Sequence, residues 1–300
     1  MTSAPQFLVG TASWTDPTLV KSDLFYPPGA TTAAERLAFY ASHFPTVEVD
    51  SSYYAILSEG VARLWVERTP PDFIFNVKAF AWLTQHPADA GRLPAAIKNA
   101  LPAELKSAPR IKNPPAEVLS LAFQMFWSSL KPLRDGGKMG RVLFQLPPYV
   151  TWRQSNLDYL AALPQRLPGS EIAVEFRHPS WMDTAHRRTD TLRFLRDYGF
   201  AYVSLDAPTQ SGLAPFLATT ADDAYIRFHG RNAENWFKRN VSAAERFKYL
   251  YAERELVEWA GRLKELSGLR RAFAIFNNCY SNFGIMNATT MREMLARHQP

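Results

Sequence analysis

Short apolar runs that end in charged or amide side chains recur eight times along the chain. They occupy residues 7–13, 46–50, 73–78, 141–145, 171–177, 201–206, 225–229 and 271–277. Most of these runs are followed by an apolar rhythm of 3.6 residues, which is typical of an amphipathic helix. Alternating strands and helices predict an α/β fold, a (β/α)₈ TIM-type barrel that forms a single domain over residues 1–300.

Helix starts are predicted where a polar residue precedes the apolar rhythm. The expected caps and helices are Thr31 or Thr32 for a helix to about Ser42, Ser58 for 59–68, Asn156 for 157–167, Asp190 for 191–198, Ser242 for 243–266 and Asn287 for 288–297. Two stretches break the pattern. Residues 79–114 form a long proline-rich insertion after the third strand, which we interpret as a lid or a binding loop. Residues 206–225, between the sixth and seventh strands, predict an irregular connection without a helix.

Strand side chains alternate between two faces, so the apolar positions of each run indicate which polar positions face the barrel interior. This test places on the inner face Glu48, Asp50, Asn76, Lys78, Gln145, Glu175, Arg177, Ser204, Asp206, Arg227, His229 and Asn277. Active sites of such barrels lie at the carboxyl ends of the strands, where these residues are found. The alternative is a structural network of salt bridges that closes the barrel.

Composition and charge limit the binding partners and the cellular compartment that are expected. A net charge of +6 and a pI near 9.4 suit polyanionic partners, but the basic residues form no tail, so nucleic-acid binding is kept as an alternative. One cysteine, Cys279, excludes an internal disulfide framework. Neither a signal peptide nor a run of eighteen apolar residues is present, which predicts a cytoplasmic protein without a membrane partner.

Several motifs resemble one family. They are Gly10-Thr11-Ala12-Ser13-Trp14, Val47-Glu48-Val49-Asp50-Ser51-Ser52-Tyr53-Tyr54, Lys78 with Thr84 and His86, Phe144-Gln145-Leu146-Pro147-Pro148, Glu175-Phe176-Arg177-His178-Pro179-Ser180-Trp181, Arg227-Phe228-His229-Gly230, and Phe276-Asn277-Asn278 with Asn287-Ala288. In this order they resemble the family known as domain of unknown function 72, over nearly the whole chain. The resemblance implies a TIM-type barrel and leaves the activity open. The resemblance implies no role for Asp50 or Cys279, because relatives commonly have asparagine and histidine at these positions.

The inner residues favour an anion site beside acid–base groups. Arg177, Arg227 and Lys78 are suited to holding phosphate or carboxylate. Glu175, His229 and Asp206 are the predicted catalytic residues, which move protons. The remaining predicted ligand-binding residues are Glu48, Gln145, Asn277, Asn278, Trp14, Tyr54, His86 and His178. The aromatic members either stack on a base or a sugar or plug the barrel.

The function predicted is acid–base or hydrolytic chemistry on a small anionic ligand, phosphorylated or nucleotide-like, by a hydrolase or by a lyase or isomerase. Two alternatives stay open: metal-assisted cleavage of nucleic acid, and binding of nucleic acid or a ligand without turnover. No cofactor is firmly implied. A single divalent metal held by Glu48, Glu175 or Asp206 is a minor alternative, because the cations of the inner set repel a divalent ion.

Overall fold

Ten strands are found in the computed structural model, which describes residues 4–213 and 215–296. They are β1 (Gln6–Ala12), β2 (Thr46–Val49), β3 (Ile74–Lys78), β4 (Ala88–Asp89), β5 (Arg110–Ile111), β6 (Met139–Gln145), β7 (Ile172–Glu175), β8 (Ala201–Asp206), β9 (Asp223–Phe228) and β10 (Arg271–Phe276). Eight of them form a closed parallel barrel in the order β1-β10-β9-β8-β7-β6-β3-β2, and β4 pairs with β5 in a separate small sheet. The predicted TIM-type fold and its eight strands are thereby confirmed.

The α-helices mostly follow the strands along the chain. Their bounds are α1 (Pro17–Ser22), α2 (Ala33–His43), α3 (Ser51–Tyr54), α4 (Glu59–Glu67), α5 (Ala95–Ala100), α6 (Ala103–Lys106), α7 (Ala116–Ser129), α8 (Lys131–Asp135), α9 (Gln154–Ala161), α10 (Leu163–Arg166), α11 (Ala185–Asp197), α12 (Ala233–Trp236), α13 (Ala243–Arg246), α14 (Glu253–Lys264) and α15 (Phe283–Ala296). Short 3₁₀ turns lie at Ala81–Thr84, Ala90–Arg92, Pro179–Trp181 and Thr209–Ser211. No helix in the described part of the chain is long and apolar enough to cross a membrane.

The chain divides into two compact units. The first unit contains the residues up to Glu48 and those from Leu192 onward, and the second unit contains Val49–Thr191.

In the first unit, parallel pairing fixes which side chains share a face. Phe228 of β9 is paired with Phe276 of β10 and stacks on it with ring centroids 4.4 Å apart. Phe228 also contacts Trp259 of α14 at 5.3 Å. We call this helix-covered side the outer face. Arg227, one residue before Phe228, therefore lies on the inner face.

Helix α2 is tied to the first two strands by one phenol. Thr32 caps α2 in a capping box with Glu35, as the sequence predicts. The Tyr40 hydroxyl, fully buried, accepts a hydrogen bond from the Thr11 amide of β1 at 2.8 Å and donates to the Thr46 carbonyl of β2 at 3.1 Å. Burial of the ring and these two bonds fix the helix against the strands.

In the second unit, α4 covers one side of β3. Ser58 caps this helix, as predicted, and Trp65 stacks on Phe75 with ring centroids 5.6 Å apart. Lys78 lies three residues after Phe75 in the same strand, so its side chain emerges on the opposite face.

Several predicted helix boundaries are wrong. Asn156, Asp190 and Asn287 lie inside α9, α11 and α15 instead of capping them. The predicted helix 157–167 is divided into α9 and α10, and the predicted helix 243–266 into α13, which Ser242 does cap, and α14. Position 297, the predicted end of the last helix, lies outside the described residues.

The two irregular stretches have different structures. The described residues between β8 and β9 contain one 3₁₀ turn and no α-helix, as expected. The insertion over 79–114 contains two short helices, α5 and α6, two 3₁₀ turns and the antiparallel pair β4 and β5. Its action as a lid stays a prediction.

Candidate functional site

Strand register brings three predicted residues of the second unit to one face. Lys78 of β3 is paired with Leu143 of β6, and Gln145, two residues further along β6, is paired with Glu175 of β7. Residues two apart in a strand share a face, so Lys78, Gln145 and Glu175 lie on the same side at the carboxyl ends of neighbouring strands. The predicted faces of these strands are confirmed.

Arg177 is oriented by two of these neighbours. Its Nε donates a hydrogen bond to Glu175 Oε1, in an ion pair whose carboxylate is fully buried. An Nη of the same guanidinium donates to Gln145 Oε1 at 3.3 Å. Glu175 therefore positions a guanidinium, and its predicted role in proton transfer stays a prediction.

Lys78 lies between a carboxylate and an aromatic ring. Its Nζ is 3.3 Å from Asp50 Oδ1 and 4.8 Å from the centroid of the Tyr53 ring. Asp50 and Tyr53 follow β2 directly, in the turn and in α3. The lysine side chain is 11% exposed, so its charge acts in a partly desolvated environment, where electrostatic interactions are stronger than in water.

His86 lies beside Tyr53, and its hydrogen bond to Thr84 indicates its tautomer. Its ring contacts the Tyr53 ring edge-on, with centroids 5.2 Å apart, and its Nδ1 lies 2.8 Å from Thr84 Oγ1. The Thr84 hydroxyl donates its proton to the Ala81 carbonyl at 3.0 Å, so the threonine oxygen accepts from His86 Nδ1–H. The neutral imidazole therefore carries its lone pair on Nε2.

Three cations act on His86. Burial, followed by the charges of Lys78, Arg177 and Arg110, lowers the pKa of His86 from its ordinary 6.5 to about 4. The imidazole is neutral at pH 7. The low pKa reports first the burial of the ring and then the positive charges near it, both of which disfavour a protonated imidazole.

Arg110 is a site residue that the sequence reasoning missed, whereas Tyr53 belongs to one of the motifs quoted from the sequence. Arg110 belongs to β5 in the insertion and is paired with Asp89 of β4. Together with Tyr53, Tyr54 and Arg92 it lines a cavity of about 280 Å³. Basic and aromatic residues within 79–114 were the available signal, but the sequence does not show which of them return to the strand ends.

In the first unit, Arg227 and Glu48 form a fully buried ion pair. The Arg227 Nη lies 2.5 Å from Glu48 Oε1, and the Tyr225 hydroxyl donates to Glu48 Oε2 at 2.8 Å. These bonds connect the inner faces of β2 and β9. The pair has the form of the structural salt bridge considered as an alternative, and ligand binding by Arg227 and Glu48 stays a prediction.

His229 and Asn277 are brought together just beyond β9 and β10. Asn277 Nδ2 lies 2.8 Å from His229 Nδ1, and the imidazole stacks on Phe247 with centroids 5.5 Å apart. Both residues are buried. The catalytic role of His229 and the ligand-binding role of Asn277 stay predictions.

Asp206 does not lie on the inner face, so this part of the face prediction is wrong. Its register partner is Phe228, whereas Leu205 is paired with Arg227, which places Asp206 on the outer face. There Asp206 accepts hydrogen bonds from the hydroxyl of Tyr251 at 2.7 Å and from Trp259 Nε1 at 2.6 Å, and it pairs with Arg231 at 2.7 Å.

The face assignment fails at β8 because its apolar residues Val203 and Leu205 lie on the inner face, paired with Tyr225 and Arg227, whereas Ser204 and Asp206 lie on the helix side. The carboxylate of Asp206 anchors the connections after β8 and β9 to α14. Its predicted role in proton transfer stays a prediction.

The remaining predicted residues have local partners. Asn278 Nδ2 donates to the Tyr249 carbonyl at 2.9 Å and to Asn287 Oδ1 at 2.8 Å, which fixes the loop after β10 to α15. His178 Nδ1 accepts from the Ser180 amide at 3.1 Å and caps a 3₁₀ turn. Trp14 is buried, whereas Tyr54 is 52% exposed. Ligand binding by Asn278, His178, Trp14 and Tyr54 stays a prediction.

Within residues 4–213 and 215–296, no three side chains of histidine, cysteine, aspartate or glutamate come together in a group that could hold a metal ion.

Comparison with known proteins identifies the family. The family model described as "Protein of unknown function DUF72" matches residues 8–300. The chain is 31% identical to the UPF0759 protein YunF of Bacillus subtilis (strain 168) over 294 residues, which cover 96% of this chain and 94% of that protein. A solved DUF72 structure from Thermotoga maritima is 30% identical with a TM-score of 0.75, covering 97% of this chain and 99% of the other.

A second solved DUF72 structure, from Enterococcus faecalis, is 23% identical with a TM-score of 0.75 and covers 98% of this chain and 97% of the other. At that identity the likeness concerns the fold alone. Together with the family match over residues 8–300, these relatives identify the protein as a member of the DUF72 family.

Proposed function

We propose that the strand-end cluster of the second unit binds a small anionic ligand, such as a phosphorylated metabolite, and performs acid–base or hydrolytic chemistry on it. The observation that carries this proposal is the placement of Lys78 and of Arg177, which Glu175 and Gln145 hold, at the carboxyl ends of neighbouring strands, where with Arg110 they add to the effect of burial in lowering the pKa of His86.

Lys78 and Arg177 are each paired with one carboxylate, Asp50 and Glu175, and Arg110 adds a third positive charge near His86, so the cluster favours an anion. Lys78 supplies a point charge, whereas Arg177 supplies a planar guanidinium held by Glu175 and Gln145. Held donors lose little conformational entropy when an anion binds, since their orientation is already fixed. The ligand would therefore meet a preorganised set of donors.

His86 is suited to accept a proton once the anion is bound. Its Nδ1–H is committed to Thr84, which leaves Nε2 as the acceptor atom. The negative charge of a ligand offsets the field of the three cations and raises the pKa of His86 toward neutrality. An imidazole with a pKa near the working pH is an effective general base. Binding and activation of the base are thus coupled.

The test measures binding and turnover separately. Titration calorimetry with inorganic phosphate and with ribose 5-phosphate at pH 7 is expected to show binding that Lys78→Met weakens by at least tenfold. Lys112→Met is the matched control, because Lys112 lies over Tyr149 at another cavity and its loss changes the net charge equally. His86→Gln is expected to retain phosphate binding and to lose turnover of any compound found to react.

Equal binding by the wild type, Lys78→Met and Lys112→Met would show that the strand-end cluster is not the anion site. The absence of binding by both phosphate compounds would refute the proposal as a whole.

A further inference from the structure

A second compartment adjoins the cationic cluster. The cavity of about 280 Å³ lined by Tyr53, Tyr54, Arg92 and Arg110 also includes Asp89 of β4. Ligand pockets for drug-sized molecules measure about 300–1,000 Å³. The cavity lies just below this range, and we expect it to take one planar ring system with part of a sugar.

Tyr53 connects this cavity with the cluster. Lys78 Nζ lies 4.8 Å from the centroid of the Tyr53 ring. The rings of His86 and Tyr54 contact the Tyr53 ring edge-on, with centroids 5.2 Å and 5.0 Å away. Arg110 likewise lines the cavity and acts on the imidazole of His86. A ligand that spans both places would therefore lie along the Tyr53 ring.

The exposed ring of Tyr54 offers a stacking surface. It is 52% exposed, and the guanidinium of Arg92 already lies 5.9 Å from its centroid. Aromatic bases stack on tyrosine rings and arginine planes without depending on sequence, since every base has a π-face. The cavity thus combines a planar cation and a half-exposed phenol, which is a set suited to a nucleobase.

Asp89 determines the orientation of such a ligand. Its Oδ1 accepts from the Gly91 amide at 2.8 Å and its Oδ2 lies 3.7 Å from Arg92 Nε, so it stays a fixed negative charge at the cavity wall. The hydroxyl groups of a sugar or an amino group of a base would donate to this carboxylate, whereas Lys78 and Arg177, which act on His86, would attract a phosphate. The phosphate belongs on the Lys78 side.

Resting on the function proposed above, we propose that the ligand is a nucleoside monophosphate, with its base against Tyr54 and its phosphate beside Lys78 and Arg177. The base adds stacking that ribose 5-phosphate lacks, so adenosine 5′-monophosphate is expected to bind about tenfold or more tightly than ribose 5-phosphate.

The experiment is titration calorimetry of the full chain with inorganic phosphate, ribose 5-phosphate and adenosine 5′-monophosphate. Tyr54→Ala is expected to reduce the affinity for the nucleotide to that for ribose 5-phosphate and to leave ribose 5-phosphate itself unchanged. Tyr54→Phe keeps the ring and is expected to bind the nucleotide like the wild type. Phe237→Ala removes an exposed ring of the other unit and controls for the loss of an aromatic side chain.

The outcomes separate the two proposals. Equal affinity for ribose 5-phosphate and the nucleotide, or an unchanged ratio in Tyr54→Ala, would overturn the base-binding cavity while leaving the anion site in place. If neither phosphate compound binds, the anion site fails and the nucleotide proposal fails with it. Melting temperatures of the variants within a few degrees of the wild type would show that any loss of binding is not due to unfolding.

Discussion

The pKa of His86 makes the stability of the protein depend on pH in a defined direction. In the unfolded chain the imidazole titrates near 6.5, whereas in the folded chain burial and three cations lower its pKa to about 4. Between these values the unfolded chain binds a proton that the folded chain does not. Stability therefore falls as the pH decreases through this window, and His86 contributes no difference above pH 7, where both states are neutral.

The magnitude follows from the two pKa values. One pKa unit corresponds to about 1.4 kcal/mol, so the full effect below pH 4 is about 3 kcal/mol, and at pH 5 it is about 2 kcal/mol. Urea unfolding of the wild type and of His86→Gln at pH 7.5, 6.5, 5.5 and 4.5 isolates this contribution, because the titration of all other groups is shared by the two proteins. The difference between their free energies of unfolding should shift in favour of His86→Gln as the pH decreases.

Two further measurements bear on the same residue. The variant His186→Gln is the control. Because His186 is exposed, this variant shows the effect of losing a histidine that is not buried. Lys78→Met removes one of the three cations and should raise the pKa of His86, measured from its ring-proton shift by NMR. A free-energy difference between wild type and His86→Gln that does not change from pH 7.5 to 4.5 would refute the lowered pKa of His86. An unchanged pKa of His86 in Lys78→Met would refute the contribution of the cations on which the anion site rests.

Three other predictions concern the framework of the site. Asp206→Ala leaves two buried donors, the Tyr251 hydroxyl and Trp259 Nε1, and the half-buried Arg231 without this acceptor and should cost about 3 kcal/mol or more in urea unfolding; a loss below about 1 kcal/mol would contradict the network. Trp181→Ala removes a fully buried ring and should cost about 3–5 kcal/mol by the same assay. Gly10→Ala would place a Cβ 2.1 Å from the Thr46 carbonyl oxygen and should lower the melting temperature clearly, whereas Gly29→Ala, with open space around it, should not.

The strands could be predicted from the sequence because each combines an apolar run with a polar end. Residues 201–206 were assigned as observed, and the other barrel strands differ by one or two residues at their ends. Parallel strands that are buried on both faces read as continuous apolar runs, so their existence is clear and their limits are not.

Helix starts were less predictable because a polar residue before an apolar stretch has two structural uses. Thr32 and Ser58 do cap their helices. Asn287, read as a cap, lies within α15, and its side chain accepts from the Tyr251 amide and donates to the Tyr251 carbonyl. An asparagine that satisfies the backbone of a neighbouring loop looks the same in sequence as one that begins a helix.

The predicted faces depend on whether one side of a strand is polar. In β6 and β7 the alternation correctly put Gln145 and Glu175 on one face. In β8 it failed for Asp206. On the outer face this carboxylate pairs with Arg231 and accepts hydrogen bonds from Tyr251 and Trp259, which lie far along the chain. A buried charge is stabilised by the partners it meets in the fold, so its side of the strand follows from those partners.

The same reasoning explains why Arg110 could not be assigned to the site. It lies in a two-residue strand within the insertion, and its position follows from pairing with Asp89 and from the return of the segment toward the strand ends. Yet Arg110 is one of three cations that act on His86 and also a wall of the adjoining cavity. In barrels of this kind the strands fix where chemistry takes place, and the loops that cover their carboxyl ends select the ligand. The specificity of this protein is therefore expected to change more with substitutions in residues 79–114 than with substitutions in the barrel strands.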